Sequence, residues 1–170
     1  MPEFDNLNIF IREIQPSDGP WVRAFLLDQA RSAQVVTRGI IHNADELPGF
    51  IGLYEGEPRG LLTYSHSNND LEVVTLHAAV RGVGLGSRLL RAAKQRAYDL
   101  GCRRMWLITT NDNEPAISFY KKEGMHIAAI HRGAIAESRK LKPQIGYFGV
   151  GGRAIEDEIE LQILLTEYGQ

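Results

Sequence analysis

The stretch Leu76-His77-Ala78-Ala79-Val80-Arg81-Gly82-Val83-Gly84-Leu85-Gly86-Ser87 leaves an alternating apolar segment, passes through three closely spaced glycines and enters an amphipathic one. Where such a turn opens a helix, the first backbone N–H groups lack intrahelical partners and converge on the point where an anion would sit. Glycine suits that point because no side chain blocks a phosphate and the backbone reaches conformations closed to other residues. Arg81 adds a fixed positive charge. The chemistry on offer is capture of a pyrophosphate-bearing ligand. The same kind of turn also occurs simply to join a strand to a helix, so the loop alone leaves both readings open. Two nucleotide signatures fail on spacing. A P-loop ends in Gly-Lys-Ser/Thr, and a dinucleotide fingerprint counted from Gly82 needs Gly or Ala where Ser87 stands. The fingerprint also expects an early βαβ unit, whereas this loop follows three strand-like segments in mid-chain.

The surrounding elements are read from periodicity and punctuation. Phe10 to Ile14 is a strand, and Asp18 is placed to N-cap a helix running to about Ala33. Val35 to Pro48 is irregular and is expected to be a loop or short helix. Phe50 to Tyr54, Gly60 to His66 and Leu71 to Ala79 form an antiparallel meander joined by turn-rich tetrapeptides. Leu85, Leu89, Ala93, Ala97 and Leu100 share one helical face, with Arg88, Arg91, Lys94 and Arg96 on the solvent side and Gly101 as the stop. Arg103 to Thr110 is a buried strand, and Asn113 caps a helix from Glu114 to Glu123. A strand at Met125 to His131 and a helical stretch at Gly133 to Leu141 precede the Gly-rich segment 143–153. Ile155 to Leu165 closes the chain as a strand, its apolar residues alternating with solvent-facing Glu158, Glu160 and Gln162. The Arg139-Lys140-x-Lys142 run reads as a solvated face. No repeat or linker interrupts the pattern, so residues 1–170 are expected to form a single mixed α+β domain.

With 170 residues and 44% hydrophobic content, the chain can bury roughly two-thirds of its unfolded surface without staples. Cys102 stands alone, so no internal disulfide forms and a reducing cytoplasm is the natural compartment. The net charge of −2, from 19 basic and 21 acidic residues mixed along the chain, gives no footprint for nucleic acid. No apolar stretch reaches membrane-spanning length.

Arg81-Gly82-Val83-Gly84-Leu85-Gly86 and Asn113-x-x-Ala116-x-x-Phe119-Tyr120 together resemble the R/Q-x-x-G-x-G/A and N-x-x-A-x-x-F-Y elements of the GNAT superfamily of N-acetyltransferases. In element order the resemblance spans about Phe10 to Leu165, and it is sharpest from Leu71 to Gly124. It is closest to a bacterial and archaeal subgroup sharing Val74-Thr75-Leu76, the run Leu107 to Asn113, His131-Arg132-Gly133-Ala134 and Asp157-Glu158-x-Glu160-Leu161. One departure is the lack of the Pro-containing residues usual between the central strand and the loop.

The resemblance implies a GNAT-like acyl-CoA N-acyltransferase fold: a central, mostly antiparallel twisted sheet with a splayed strand pair and helices on both faces. It implies that acetyl-CoA lies in the splay, paired with the backbone of Val74, Thr75 and Leu76, its diphosphate held by Arg81, Gly82, Val83, Gly84, Leu85, Gly86 and Ser87. Asn113 would serve the pantetheine arm. Tyr120 would protonate, or hydrogen-bond to, the departing thiolate, and a backbone N–H near Leu76 or His77 would hold the oxyanion. Glu72 is the candidate general base, its alternative being an ordinary solvent-facing strand residue. His42, His77 and His131 are acceptor-site candidates. The implied reaction is direct attack of a small-molecule or peptide amine in a ternary complex, with no metal, and a homodimer is compatible with the family. The runner-up is a non-catalytic acyl-CoA-binding sensor or interaction module. A nicotinamide-dependent oxidoreductase is a third reading.

Overall fold

The computed structural model describes residues 8–165; the stretches 1–7 and 166–170, which the single-domain reading includes, lie outside them. The elements run β1 (Ile9–Glu13), α1 (Gly19–Ala30), β2 (Gln34–Thr37), β3 (Ile40–Asn43), β4 (Gly49–Tyr54), β5 (Glu57–Ser67), β6 (Asp70–Ala78), α2 (Leu85–Asp99), β7 (Arg104–Thr110), α3 (Glu114–Lys122), β8 (His126–His131), α4 (Ala134–Leu141) and β9 (Glu158–Leu164). Seven strands form one sheet in the order β1-β4-β5-β6-β7-β9-β8, and every neighbouring pair is antiparallel except β6 with β7. The expected mixed α/β architecture is therefore present. No helix of the described residues is long and apolar enough to cross a membrane.

Each face of the sheet has its own core. On one, the α2 stripe Leu85, Leu89, Ala93 and Ala97 packs on Leu62, Leu71, Leu107 and Leu161. On the other, Val22, Phe25 and Leu26 of α1 pack on Ile51 and Leu61. Burying each such leucine contributes about 1.5–3 kcal/mol. Alternation along β6 sends Leu71 and Val73 to the α2 side, leaving Glu72 on the opposite face.

The pair β6–β7 is the splayed one. Its parallel register runs from Asp70–Arg104 to Val73–Leu107 and stops, while β6 continues along β5 to Ala78 and β7 along β9 to Thr110. At the same level the β5–β6 register slips: Thr63 faces Thr75 but Tyr64 faces Val73, which makes Val74 the extra residue of a bulge. The buried Thr75 hydroxyl accepts the Thr63 N–H at 3.2 Å and shares a 2.6 Å hydrogen bond with the Thr63 hydroxyl, pinning the kink. The bulge thus forms without the missing Pro-containing residues.

Several local expectations are corrected. Val35 to Pro48 is neither loop nor helix in its first half; β2 and β3 form a hairpin. Its two-residue turn, Arg38 (φ 49) and Gly39 (φ 77), has the doubly left-handed conformation that matches strand twist. Helix α1 ends at Ala30, where Arg31 takes φ 61 and caps it. Asp18 does not cap α1 with its side chain; its carboxylate accepts from both Arg12 guanidinium nitrogens, at 2.7 and 2.9 Å, and from the Gln15 N–H at 2.7 Å, which closes a capping box on the preceding 3-10 turn Pro16–Asp18. Leu100 lies past the end of α2 and is exposed. Arg96 is half-buried rather than on the solvent side, donating to the Tyr64 hydroxyl at 2.8 Å beside Glu13. Glu158, read as solvent-facing, is buried. The Arg139-Lys140-x-Lys142 run is more than a solvated face: Arg139 donates to the carbonyls of Ile145, Gly146 and Ile155, and Lys142 to that of Gln34.

Candidate active site

The glycine loop sits between the end of β6 and the start of α2. Gly82 (φ 77) and Gly84 (φ 84) are left-handed, and a Cβ added at either would meet open space, so conformation rather than packing calls for glycine there. The first bond of α2 runs from the Arg88 N–H to the Gly84 carbonyl at 3.1 Å. The amides of Leu85, Gly86 and Ser87 therefore project from the helix end. They border a cavity of about 340 Å³ whose rim includes Arg81 and Phe119. The Ser87 hydroxyl donates to the Glu123 carboxylate and so is turned toward α3; its N–H is the group left for an anion.

Helix α3 closes the far side of that cavity. Asn113 caps it as expected, its Oδ1 accepting the Ala116 N–H at 3.3 Å. The ring of Phe119 lies 3.4 Å from where a Cβ of Gly86 would be, so the two signature elements touch. Phe119 and Tyr120 meet edge to face at 5.3 Å and pack against the α2-side core. Burial pushes the Tyr120 phenol up to about 12, so it keeps its proton at neutral pH.

Asn111 and Asp112 anchor the chain just ahead of α3. Asn111 accepts the N–H groups of Glu156 and Asp157, each at 2.9 Å. Buried Asp112 accepts from the Thr110 hydroxyl and from the Val150 N–H at 2.9 Å, tying down the Gly-rich segment 143–153.

Glu72 is buried on the α1 side of the sheet. The β2–β3 hairpin reaches over to it. The Thr37 hydroxyl donates to Glu72 Oε2 at 2.7 Å, Thr37 Oγ1 lies 2.9 Å from His42 Nε2, and His42 Nε2 lies 3.6 Å from Glu72 Oε1. Burial raises the Glu72 carboxyl to about 7; the Thr37 hydrogen bond opposes that rise, and Glu158 and Glu160 reinforce it. Burial also lowers the His42 pKa, so at neutral pH the contact joins a neutral imidazole to a carboxyl group and is not an ion pair. Glu72 and His42 line a cavity of about 580 Å³ with Ile40, Asp70 and Trp106. The solvent-facing alternative for Glu72 is thereby overturned.

Two further carboxylates hold the neighbouring strands. Glu158 accepts the Arg38 N–H at 3.1 Å and its guanidinium at 2.9 Å. Glu160 accepts from Arg104 at 2.9 Å and lies 3.0 Å from His131 Nε2. The Gly133 N–H donates to Asp157 at 2.9 Å, so the two subgroup motifs around His131 and Glu158 are bonded to each other. Arg104 stacks over Trp106 at 4.9 Å and pairs with Asp70. His77 is desolvated, which lowers its pKa.

The loop at Arg81–Ser87, Asn113 and Tyr120 thus gather on the α2 side, and Glu72 with His42 on the other, on either side of the parting strands. Thr37, Arg38 and Glu158 belong to the same region; Glu158 stands in the subgroup motif Asp157-Glu158-x-Glu160-Leu161, whereas the sequence singles out neither Thr37 nor Arg38 as a site residue. The usable signal was Arg38-Gly39 flanked by β-branched Val36, Thr37, Ile40 and Ile41.

A family model described as Acetyltransferase (GNAT) family matches residues 10–125. The uncharacterised protein YdhI of Bacillus subtilis is 40% identical over 120 residues, 70% of this chain and 75% of that one. Streptothricin acetyltransferase of Streptomyces lavendulae is 30% identical over 138 residues, 75% of this chain and 70% of that one. Among solved structures, an IAA acetyltransferase from Bacillus cereus superposes with a TM-score of 0.73 at 20% identity, covering 92% of this chain and 99% of its own. A GNAT family acetyltransferase from Elizabethkingia anophelis, solved with acetyl-CoA bound, gives 0.67 at 17% identity, covering 93% and 99%. At those identities the structures speak to fold alone, while the family model and the sequence relatives speak to descent, and on both grounds this chain belongs to the GNAT family of acetyltransferases.

Proposed function

We propose that this acetyltransferase passes an acetyl group from acetyl-CoA to a primary amine of a small molecule or peptide, by direct attack within a ternary complex. The observation that carries the reading is the parting of β6 from β7 after Val73 and Leu107, between an anion-accepting helix end and a buried carboxylate. Arg81 and the amides of Gly82 to Ser87 fit a diphosphate, because the loop glycines leave open space and the helix end supplies unpaired donors. The backbone of Val74, Thr75 and Leu76, free of β7, suits strand-like pairing with the pantetheine amides, and Asn113 stands at the far side of the gap.

Acetyl-CoA supplies the thioester. A lysine-like ammonium, with a pKa of about 10.4, needs a base to become nucleophilic, and Glu72, at about 7, is matched to that task. Glu72 takes one ammonium proton; nitrogen forms the C–N bond, and the C–S bond breaks with its electron pair on sulfur. A backbone N–H near Leu76 or His77 faces the developing oxyanion. Tyr120, too weak an acid at about 12 to surrender its proton, donates a hydrogen bond to the sulfur. The second proton shed by nitrogen completes the thiol. The cavity over Glu72 is lined by the carboxylates of Glu72 and of Asp70, the latter paired with Arg104, and by Ser65, Asn68 and His42, which fits a polar amine acceptor.

Release of free thiol from acetyl-CoA, followed with a panel of small amines, polyamines and peptides, tests the reading. Acceptor-dependent release supports it. Coenzyme A binding without such release would favour the non-catalytic sensor.

A further inference from the structure

We propose that the β2–β3 hairpin completes the active site, with Thr37 and His42 as positioning residues that orient Glu72 and keep it ionisable. The proposal rests on the reading of Glu72 as the general base, and its test separates the two.

The bond geometry carries it. The Thr37 hydroxyl has one proton and lies within hydrogen-bond distance of two groups, Glu72 Oε2 at 2.7 Å and His42 Nε2 at 2.9 Å. While Glu72 is ionised, that proton belongs to the carboxylate, which has no donor of its own. His42 must then present Nε2–H to Thr37 Oγ1. The donor order His42 to Thr37 to Glu72 polarises the threonine hydroxyl and strengthens its bond to the carboxylate. When Glu72 takes a proton from an acceptor amine, its new O–H can donate to Thr37 Oγ1; the whole chain reverses once His42 moves its ring proton from Nε2 to Nδ1, leaving Nε2 to accept from Thr37. His42 and Glu72 line the same cavity, so this device borders the space assigned to the acceptor.

The hairpin is built to hold these two side chains still. Both are buried, as is Glu72. Beyond Thr37 the chain turns through Arg38, whose N–H and guanidinium bind Glu158 on β9. At the other end of β2, the Gln34 carbonyl accepts from Lys142. The titratable and charged groups facing Glu72 are the neutral His42 from β3, Arg104 from β7, Glu158 and Glu160 from β9, and Asp70 from its own strand. Most of these carboxylates oppose its ionisation, and of the neutral groups Thr37 is the one that directly favours it.

The test is the pH dependence of kcat/KM for the amine, measured on the full chain. Thr37→Val removes the hydroxyl at nearly constant shape. The acid limb of the profile is expected to move up by about one pH unit, with about a fivefold loss at pH 7 that approaches tenfold below about pH 6 and largely disappears above pH 9. Coenzyme A affinity should not change. Thr37→Ser should restore the parent profile. His42→Leu should move the limb in the same direction by less, and stands in should Thr37→Val not fold. A uniform loss at every pH, or an unmoved limb in both variants, overturns the positioning role. If Glu72→Gln retains the parent rate, the base reading itself fails and the proposal with it; an inactive Glu72→Gln beside an unmoved limb sinks only the proposal.

Discussion

Val73 on β6 is the last residue to pair with β7, through Leu107, although both strands run on, β6 to Ala78 and β7 to Thr110. The split opens after Val73, at the Val74 bulge two residues beyond Glu72, so the buried carboxylate, the bulge and the gap share one stretch of β6. A ligand lying in the gap meets backbone groups of β6 that β7 no longer uses. The α2 helix end lies past the open end of β6.

The first prediction concerns that helix end. Gly84 holds φ 84 as the N-cap of α2 with open space around it, so Gly84→Glu adds a carboxylate to the proposed diphosphate site and forces a side chain into a left-handed conformation. The backbone cost is about 1–2 kcal/mol, which the fold should survive. Coenzyme A affinity should fall by about a hundredfold or more. Calorimetric titration beside a thermal melt reads both, and near-parent affinity in a folded variant would remove the loop from the site.

Glu72 makes the second. Folding raises its pKa from 4.5 to about 7. The native state is therefore favoured while the carboxyl is protonated and loses that advantage as pH climbs from about 4.5 through about 7, at a cost on the order of 3 kcal/mol. Glu72→Gln, always neutral, should be more stable than the parent at pH 8 and gain nothing at pH 4. Activity runs the other way: the parent's kcat/KM should rise with pH through about 7, and Glu72→Gln should lose about 100-fold or more. Denaturant melts at the two pH values check the first half and initial rates the second.

Tyr120 supplies the third. Its phenol is raised to about 12 by burial and its ring rests against Phe119, so Tyr120→Phe removes the hydroxyl and leaves the packing. Turnover should fall about tenfold or more, while coenzyme A affinity and melting temperature hold near the parent values. Equal rates in both proteins would leave Tyr120 a packing residue.

How much of this was legible differs from residue to residue. Glycines at 82, 84 and 86 and the Asn113-to-Tyr120 spacing announce the α2-side half of the candidate site, because their demands are local: a left-handed turn, a cap, a helical face. The α1-side half of the candidate site depends on contacts far apart in sequence. Glu72 reads as an ordinary alternating strand residue until a hairpin some 30 positions earlier covers it, a contact recorded between residues 35 apart. Glu158 alternates like an exposed residue and is instead buried under Arg38, 120 positions away. The hairpin itself was missed because Arg38 takes a left-handed conformation usually filled by Asn, Asp or Gly. Strand order and the point of splay follow from register, which hydrophobic alternation leaves open.

The last prediction tests that long-range clasp. Glu158 is 1% exposed, and its carboxylate is held by the Arg38 N–H and by a guanidinium that is itself 40% exposed. Arg38→Ala removes the guanidinium and leaves a buried charge with the backbone donor. Breaking a fully buried pair costs about 3–5 kcal/mol, and the solvent access of Arg38 reduces the expectation to about 1–2 kcal/mol. The loss should fall on the hairpin first, because Arg38 is at its turn and the seven-stranded sheet keeps its own core. Amide exchange should therefore quicken across Gln34–Asn43 well before it quickens in β5 or β7. Arg38→Ala/Glu158→Gln, which removes the unpaired charge as well, should recover part of the stability. Because Thr37 precedes Arg38, the clasp also steadies the donor to Glu72, and the single variant should lose activity at pH 7 more than at pH 9. Unchanged exchange in the hairpin would mean that Thr37 and Lys142 suffice to hold it and that the Arg38–Glu158 pair contributes little.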